Sequence, residues 1–178
     1  MPRTLCAVAA ALALVACSQQ DADTLPIATV LSPDSAQYER AVFSPDGSRV
    51  AYFAPGANGY DLVVAKADLS APQSFATVRG LNRMFWSPDG GKLAYGSTDG
   101  GLANVAVVTF GDGTARRLTK NTSVEIPVGW HPRGDRVTYL APAPGGMVVT
   151  RDASLLGGTT APMLAEARPH FGFWSPDG

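Results

Sequence analysis

The sequence predicts an all-β fold made of repeated four-stranded antiparallel sheets. A motif of aromatic residue, Ser or His, Pro, Asp or Arg, and Gly occurs four times, with its proline at Pro45, Pro88, Pro132 and Pro176. The spacings of 43, 44 and 44 residues are those of propeller blades, each of which has four strands. The 19 Gly and 14 Pro among 178 residues, of which 46% are hydrophobic, indicate many turns between short strands. We therefore expect a partial β-propeller of about three blades plus the start of a fourth.

The repeated motif predicts a strand, a tight turn and a second strand. Ser-Pro-Asp-Gly suits a type I turn, because proline presets φ at the second position and glycine accepts a positive φ at the fourth. A run of basic, aliphatic, small and Tyr residues follows at Arg49–Tyr52, Lys92–Tyr95 and Arg136–Tyr139, and its alternation predicts a strand. We therefore expect the motif aspartates to serve the turn. They are Asp46, Asp89 and Asp177.

The period also predicts where the blades begin and end within residues 24–178. The expected blades cover residues 38–80, 81–122 and 123–166, and the next begins at 167–178. Segment 25–31 occupies the place of an outer strand with no blade ahead of it, so we expect it to close the last blade of the full ring. The sequence stops within a motif at Gly178. We interpret it as a fragment of a longer protein or a prematurely ended gene product.

The N-terminus predicts a secretory signal. A basic start, Met1–Arg3, precedes the apolar segment Leu5–Ala16. A segment of about a dozen residues is shorter than the roughly 20 that span a bilayer, but it suits the apolar core of a signal peptide. One interpretation is therefore a plain secretory signal that is cut near Ala16 or Ala22, and the other is described next.

The end of this signal, Leu14–Cys17, resembles the lipobox of bacterial lipoproteins. The resemblance implies a signal peptide at 1–16, a mature chain whose first residue, Cys17, carries acyl chains, and a polar tether at 17–23. Ser18 after the cysteine resembles lipoproteins that are sent to the outer membrane. We therefore expect a lipid-anchored protein of the bacterial cell envelope that faces the periplasm. Because Cys6 lies in the removed segment and Cys17 carries lipid, we expect no free thiol and no disulfide in the mature domain.

The blade motif resembles the TolB-type propeller repeat, a relative of the WD-repeat blade. The resemblance rests on Trp86–Tyr95, on the Ser-Thr-Asp-Gly turn at Ser97–Gly100 and on Arg117–Thr119, and it extends over residues 24–178. This repeat occurs in the periplasmic Tol-system protein and in propeller domains of prolyl oligopeptidases, dipeptidyl peptidases and tricorn-like proteases. The third copy, at Trp130–Gly134, departs from the pattern because it lacks the Ser and the Asp.

No residue pattern predicts catalysis in this segment. The sequence Gly96–Gly100 places its serine one position too early for a nucleophile elbow, and Gly111–Arg116 lacks the third glycine of a dinucleotide loop. His131 and His170 do not have the spacing of metal ligands, and Asp21 lies on the tether. We therefore expect no cofactor and no metal. The net charge of −1 argues against nucleic acid as a partner.

Two classes of function remain open from the sequence. The first is a lipid-anchored scaffold that binds a protein or a peptide, because propellers present binding loops on a rigid framework. The second is the N-terminal propeller of a serine peptidase whose hydrolase domain lies beyond residue 178. A sugar-binding or metal-binding propeller enzyme is a weaker third interpretation. Whether the protein is an enzyme stays open, and the absence of catalytic residues favours the scaffold.

Overall fold

The computed structural model describes residues 39–80, 83–98, 101–120, 122–158 and 174–175. These residues form three antiparallel sheets, and within each sheet the strands lie in the order of the chain. The all-β fold class and the repeated-sheet architecture are therefore confirmed. The signal peptide, the tether and the closing strand expected at 25–31 lie outside the described residues, and so does the start of the next blade up to residue 173.

The first two sheets have four strands each. The first contains β1 (Glu39–Phe43), β2 (Arg49–Gly56), β3 (Gly59–Lys66) and β4 (Gln73–Val78). The second contains β5 (Met84–Trp86), β6 (Lys92–Ser97), β7 (Asn104–Thr109) and β8 (Thr114–Arg117). All four residues of β8 are exposed, and its charged end at Arg117 is the kind of edge that resists pairing with another chain.

The third sheet contains three described strands in the order β11, β10, β9. They are β9 (Ile126–Trp130), β10 (Arg136–Ala143) and β11 (Met147–Ser154), and a short 3-10 turn, Pro144–Gly146, joins the last two. Strands β10 and β11 pair without interruption from Arg136 opposite Ser154 to Ala143 opposite Met147. The residues expected to supply an outer strand for this sheet lie largely outside the described part of the chain.

Each of the three motif copies within the described residues forms the predicted turn between the first and second strands of its sheet. The fourth residue donates its N–H to the carbonyl of the first at 2.8 Å in all three described turns. The glycines at this fourth position have φ of 67° to 70°, which a residue with a Cβ adopts only with strain. They are Gly47, Gly90 and Gly134. The glycine of the motif is therefore a requirement of the backbone.

The motif serine closes its turn with its side chain. The Ser87 hydroxyl is buried, accepts the N–H of Lys92 at 2.8 Å and donates to Asp89 at 2.6 Å. Ser44 makes the same pair of bonds, to the Arg49 N–H at 3.0 Å and to Asp46 at 2.5 Å. The polar residues of the motif thus satisfy one another, as expected for a turn.

In the third copy, histidine takes the place of the serine. His131 is 6% exposed, and its Nδ1 accepts the backbone N–H of Arg133 at 3.2 Å. The carboxylate of Asp135 lies 3.6 Å from the same nitrogen.

We expect the protein to lose folding stability in acid, because the motif aspartates of the first two turns become protonated there. Hydrogen bonds from Ser44 and then Ser48 lower the pKa of Asp46 from 3.8 to about 2, and a bond from Ser87 lowers the pKa of Asp89. A lowered pKa in the folded state adds stability above the unfolded value of 3.8, and this stability disappears as the pH falls towards about 2.

Urea unfolding at about pH 5.5 and about pH 2.5 measures this loss. The double variant Asp46→Asn/Asp89→Asn should lose less stability between the two pH values than the unchanged protein does. Equal losses in both proteins would contradict the assignment.

The sheets stack face to face through apolar layers. The layer between the first and second sheets has fully buried members, which are Ala51, Phe53, Leu62, Leu93 and Val108. The layer between the second and third sheets likewise contains Ala94, Val105, Val137, Tyr139 and Ala153. Each large aliphatic side chain buried in this way contributes about 1.5–3 kcal/mol to stability. The small residues Ala51 and Ala94 lie at points where one sheet approaches the next, as the repeat predicted.

A tryptophan of the motif links each sheet to the preceding one. The indole N–H of Trp86 donates to the Val42 carbonyl at 3.0 Å, and that of Trp130 donates to the Phe85 carbonyl at 2.8 Å. Both acceptors lie in the first strand of the preceding sheet. The first strands of successive sheets therefore lie side by side, as around the axis of a propeller.

Candidate functional site

The third sheet departs from the repeat at two adjacent positions in its third strand, of which Arg151 is half-buried and Asp152 is buried. In the first two sheets, the motif tyrosine of the second strand faces Val63 or Ala106 across the pair, whereas Tyr139 faces Arg151. At the adjacent position Asp152 stands where the other sheets carry Val64 and Val107. A base and an acid thus replace two apolar residues of the repeat.

Tyr139 and Arg151 line a cavity of about 380 Å³. The other polar side chains of its wall are Thr122, Ser123 and Glu125, and the apolar part is Ala141 with Pro142. The strand β10 supplies Tyr139, β11 supplies Arg151, and the segment before β9 supplies the rest of the polar wall. A concave site with a few converging polar groups is the usual form of a small binding site.

Glu125 is held inside this cavity by the backbone on either side of it. Its N–H donates to the Ala103 carbonyl at 2.8 Å, which fixes the segment to the second sheet. Its neighbours Val124 and Ile126 are 46% and 39% exposed, whereas Glu125 is 0% exposed. This alternation is that of an extended chain, and here it turns the carboxylate inwards and two apolar side chains outwards.

The Tyr139 hydroxyl remains protonated at neutral pH. Burial and then the charge of Glu125, opposed by the charge of Arg151, together raise the pKa of Tyr139 to about 12. The side chain is 0% exposed, and within the described part of the chain its hydroxyl makes no hydrogen bond. A buried hydroxyl without a bond costs about 1–3 kcal/mol, so it is a candidate donor for a ligand.

A second polar group lies on the opposite face of the third sheet. The Thr138 hydroxyl donates to the Asp152 carboxylate at 2.7 Å and accepts the indole N–H of Trp174 at 2.7 Å. Arg136 lies 3.8 Å from the same carboxylate, and the Trp174 ring contacts His131 edge to face. The indole hydrogen bond of Trp174 therefore goes to a side chain, whereas the indole hydrogen bonds of Trp86 and Trp130 go to backbone carbonyls.

The residues considered as candidate sites in the sequence analysis lie at turns or outside the described residues. Asp112 bonds Thr114 within a hairpin turn, and Asp89 bonds Ser87 within the motif turn. Cys17, the predicted lipidation site, and His170 lie outside the described residues. Within the described ranges, no three His, Cys, Asp or Glu side chains cluster as metal ligands would. In the same ranges no helix has the length and apolar character to cross a membrane.

Solved structures show which fold these sheets belong to. TolB from Acinetobacter baumannii superposes with a TM-score of 0.60 at 18% identity, over 74% of this chain and 34% of that one. The β-propeller domain of the Trilobed protease from Pyrococcus furiosus superposes with a TM-score of 0.56 at 15% identity, over 71% and 43%. The fold is that of a TolB-like β-propeller.

The same propeller fold recurs in an enzyme. A puromycin hydrolase superposes with a TM-score of 0.58 at 18% identity, over 74% of this chain and 23% of that one. The TolB-like propeller described here spans less than half of the length of each of these three proteins. No protein-family profile and no curated protein matches its sequence. The resemblance to the TolB-type repeat is thus confirmed at the level of fold.

Sequence reasoning missed the residues of the cavity. Aligning the third strands by their pairing with the motif tyrosines reveals part of the cavity, because Arg151 and Asp152 then occupy positions that hold valine or alanine in the other blades. Glu125 lies in a linker with no repeat partner, and only the structure shows that it is buried beside Tyr139.

Proposed function

We propose that this chain is a protein- or peptide-binding β-propeller segment of the bacterial cell envelope, held at the membrane by acyl chains on Cys17. The polar cavity of Tyr139, Glu125 and Arg151 carries the binding part of the proposal. Two equivalent blades fill the positions of Arg151 and Asp152 with apolar residues, so the fold does not need charge there. In the cavity wall Glu125 is 0% exposed, and because a buried charge is costly unless it is matched, recognition of a partner is a reason to keep charged groups there.

Selection of peptides tests this proposal. A displayed library of random octapeptides is selected on the immobilised full chain. The variant Arg151→Val, in which valine replaces arginine as at the equivalent position of the first blade, serves for counter-selection. We expect recurrent peptides that bind the unchanged protein and not the variant when fluorescence anisotropy measures their affinity. A library that yields no binder, or binders indifferent to Arg151→Val, would contradict a binding role for this cavity.

The propeller of a serine peptidase is the second candidate function. The solved structures of this fold that support it are the propeller domain of the Trilobed protease and the puromycin hydrolase. The product of the intact gene is treated with a serine-directed fluorophosphonate probe and assayed against amino-acyl and dipeptidyl p-nitroanilides. Labelling together with hydrolysis would establish the peptidase, and neither is expected from the binding scaffold.

We expect lipid attachment to depend on Cys17 alone. Each buried CH₂ of an acyl chain contributes about 0.8 kcal/mol to membrane binding, so loss of the modified cysteine releases the protein. Cells grown with an alkynyl palmitate should label the unchanged protein and the variant Cys6→Ala in the outer-membrane fraction. The variant Cys17→Ala should carry no label and leave that fraction. Label that persists in Cys17→Ala would overturn the lipoprotein assignment and favour the plain secretory signal.

A further inference from the structure

We propose that the cavity of the third sheet binds an uncharged amide group of its peptide ligand, with Glu125 and Arg151 engaging the two sides of the amide. The inference rests on the proposed peptide-binding function and names the chemistry of the ligand. The amide belongs either to the main chain of the peptide or to an Asn or Gln side chain. Both sources present a carbonyl acceptor and N–H donation in a single plane, with one N–H in the main-chain amide and two in the side-chain amide.

The charges of the wall favour an uncharged ligand. Glu125 supplies one negative charge and Arg151 one positive charge, and the remaining lining residues are neutral. Tyr139 stays neutral because burial and then the charge of Glu125 raise its pKa to about 12. A ligand with a net charge loses its hydration in such a site and gains no net countercharge, which is unfavourable. A neutral group with a large dipole avoids that cost.

The hydrogen-bonding capacities of the wall match an amide. A carboxylate only accepts and a guanidinium only donates, so Glu125 suits the amide N–H and Arg151 suits the amide carbonyl. The Tyr139 hydroxyl, which makes no hydrogen bond within the described residues, adds a second donor for that carbonyl. Ser123 and Thr122 donate or accept as needed at the more exposed side of the wall. The volume of about 380 Å³ suits one or two residues of a peptide.

Five probes distinguish the ligand classes in isothermal titration against the full chain. Three are pentapeptides with an acetylated amino end and an amidated carboxyl end, made of alanine alone, with a central glutamine, or with a central lysine. The fourth is the alanine pentapeptide with free termini, and the fifth is maltotriose, a neutral sugar that contains no amide. We expect the capped alanine and glutamine peptides to bind, and the lysine and uncapped peptides to bind at least about tenfold more weakly.

The two capped peptides also separate the sources of the amide. Tenfold tighter binding of the glutamine peptide than of the alanine peptide assigns the site to a side-chain amide. Equal binding assigns it to the main chain. Either result supports the inference.

Three variants link binding to the named residues. We expect Tyr139→Phe, Glu125→Gln and Arg151→Val each to weaken binding of the better capped peptide about tenfold. Tyr139→Phe and Arg151→Val each remove one hydrogen bond to the amide, and Glu125→Gln replaces a charge-assisted hydrogen bond by a weaker neutral one. Tyr95→Phe is the matched control, since Tyr95 is the motif tyrosine of the second sheet and does not line this cavity. Tyr139→Phe removes a single oxygen atom, and thermal melting verifies that each variant remains folded.

The outcomes separate this inference from the proposed function. Failure of every peptide, both among these probes and in the library selection, overturns both proposals. Peptides that bind only with a charged end or a lysine, or whose affinity is unchanged in all three variants, overturn the amide inference and leave peptide binding intact. Maltotriose that binds more tightly than the capped peptides also overturns it, in favour of a sugar ligand.

Discussion

Replacing Trp130 by alanine is expected to lower the free energy of unfolding by about 3–5 kcal/mol, measured by urea denaturation. The side chain is 7% exposed and packs in the layer between the second and third sheets. Its indole N–H donates to the Phe85 carbonyl of the preceding sheet at 2.8 Å. The substitution therefore empties a large apolar volume and leaves a buried carbonyl without its donor.

Phe43 offers a control at the same position of the repeat. It is the aromatic residue of the first motif, yet it is 54% exposed, so Phe43→Ala should cost less than about 1 kcal/mol. The variant Trp130→Phe retains most of the apolar contact and loses the N–H donor, and we expect it to cost about 1 kcal/mol. Similar losses for Trp130→Ala and Phe43→Ala would show that the joint between sheets does not depend on this tryptophan.

Replacing Asp152 by alanine is expected to cost about 2–3 kcal/mol of folding free energy. The carboxylate is 2% exposed, accepts the Thr138 hydroxyl at 2.7 Å and lies 3.8 Å from the Arg136 guanidinium. Its removal leaves a buried hydroxyl without an acceptor and a cation without this partner. The Arg136 side chain is 30% exposed, so water compensates part of that loss.

The second blade supplies an apolar alternative for this pair. Ala94 and Val107 occupy the same two positions there, so the double variant Thr138→Ala/Asp152→Val reproduces a packing that the fold already uses. We expect this double variant to be more stable than Asp152→Ala, because replacing both partners leaves no orphaned group between them. The gain is limited by the Trp174 indole N–H, which loses its Thr138 acceptor in the double variant. A double variant that loses the sum of the two single losses would show that the residues do not interact.

The sequence predicted the fold because the period and the turn chemistry repeat. The Ser-Pro-Asp-Gly turn satisfies its own polar groups, as Ser87 and Asp89 do, so its structure depends little on the rest of the chain. Strand β8 ends at Arg117, and just beyond it the Thr119 side chain accepts the N–H of Val105.

The candidate site could not be predicted in the same way. A repeat predicts what blades have in common, whereas the cavity consists of the positions where one blade differs from the others. The contact between Glu125 and the face that carries Tyr139 depends on how a linker folds back against the second sheet, through its bond to Ala103. No local pattern in the linker encodes that contact. The lipid anchor at Cys17 and the closing strand at 25–31 stay predictions.

The tryptophan joints determine how freely such a protein can evolve by copying its own units. The acceptors for Trp86 and Trp130 are backbone carbonyls, which every residue carries, so a duplicated blade finds an acceptor beside any neighbour. The joint to Trp174 instead requires the hydroxyl of Thr138, which few residue types supply. We therefore expect a duplicated blade to keep this hydrogen bond at the first two junctions, whereas at the third it keeps the bond only beside a blade that carries a matching hydroxyl.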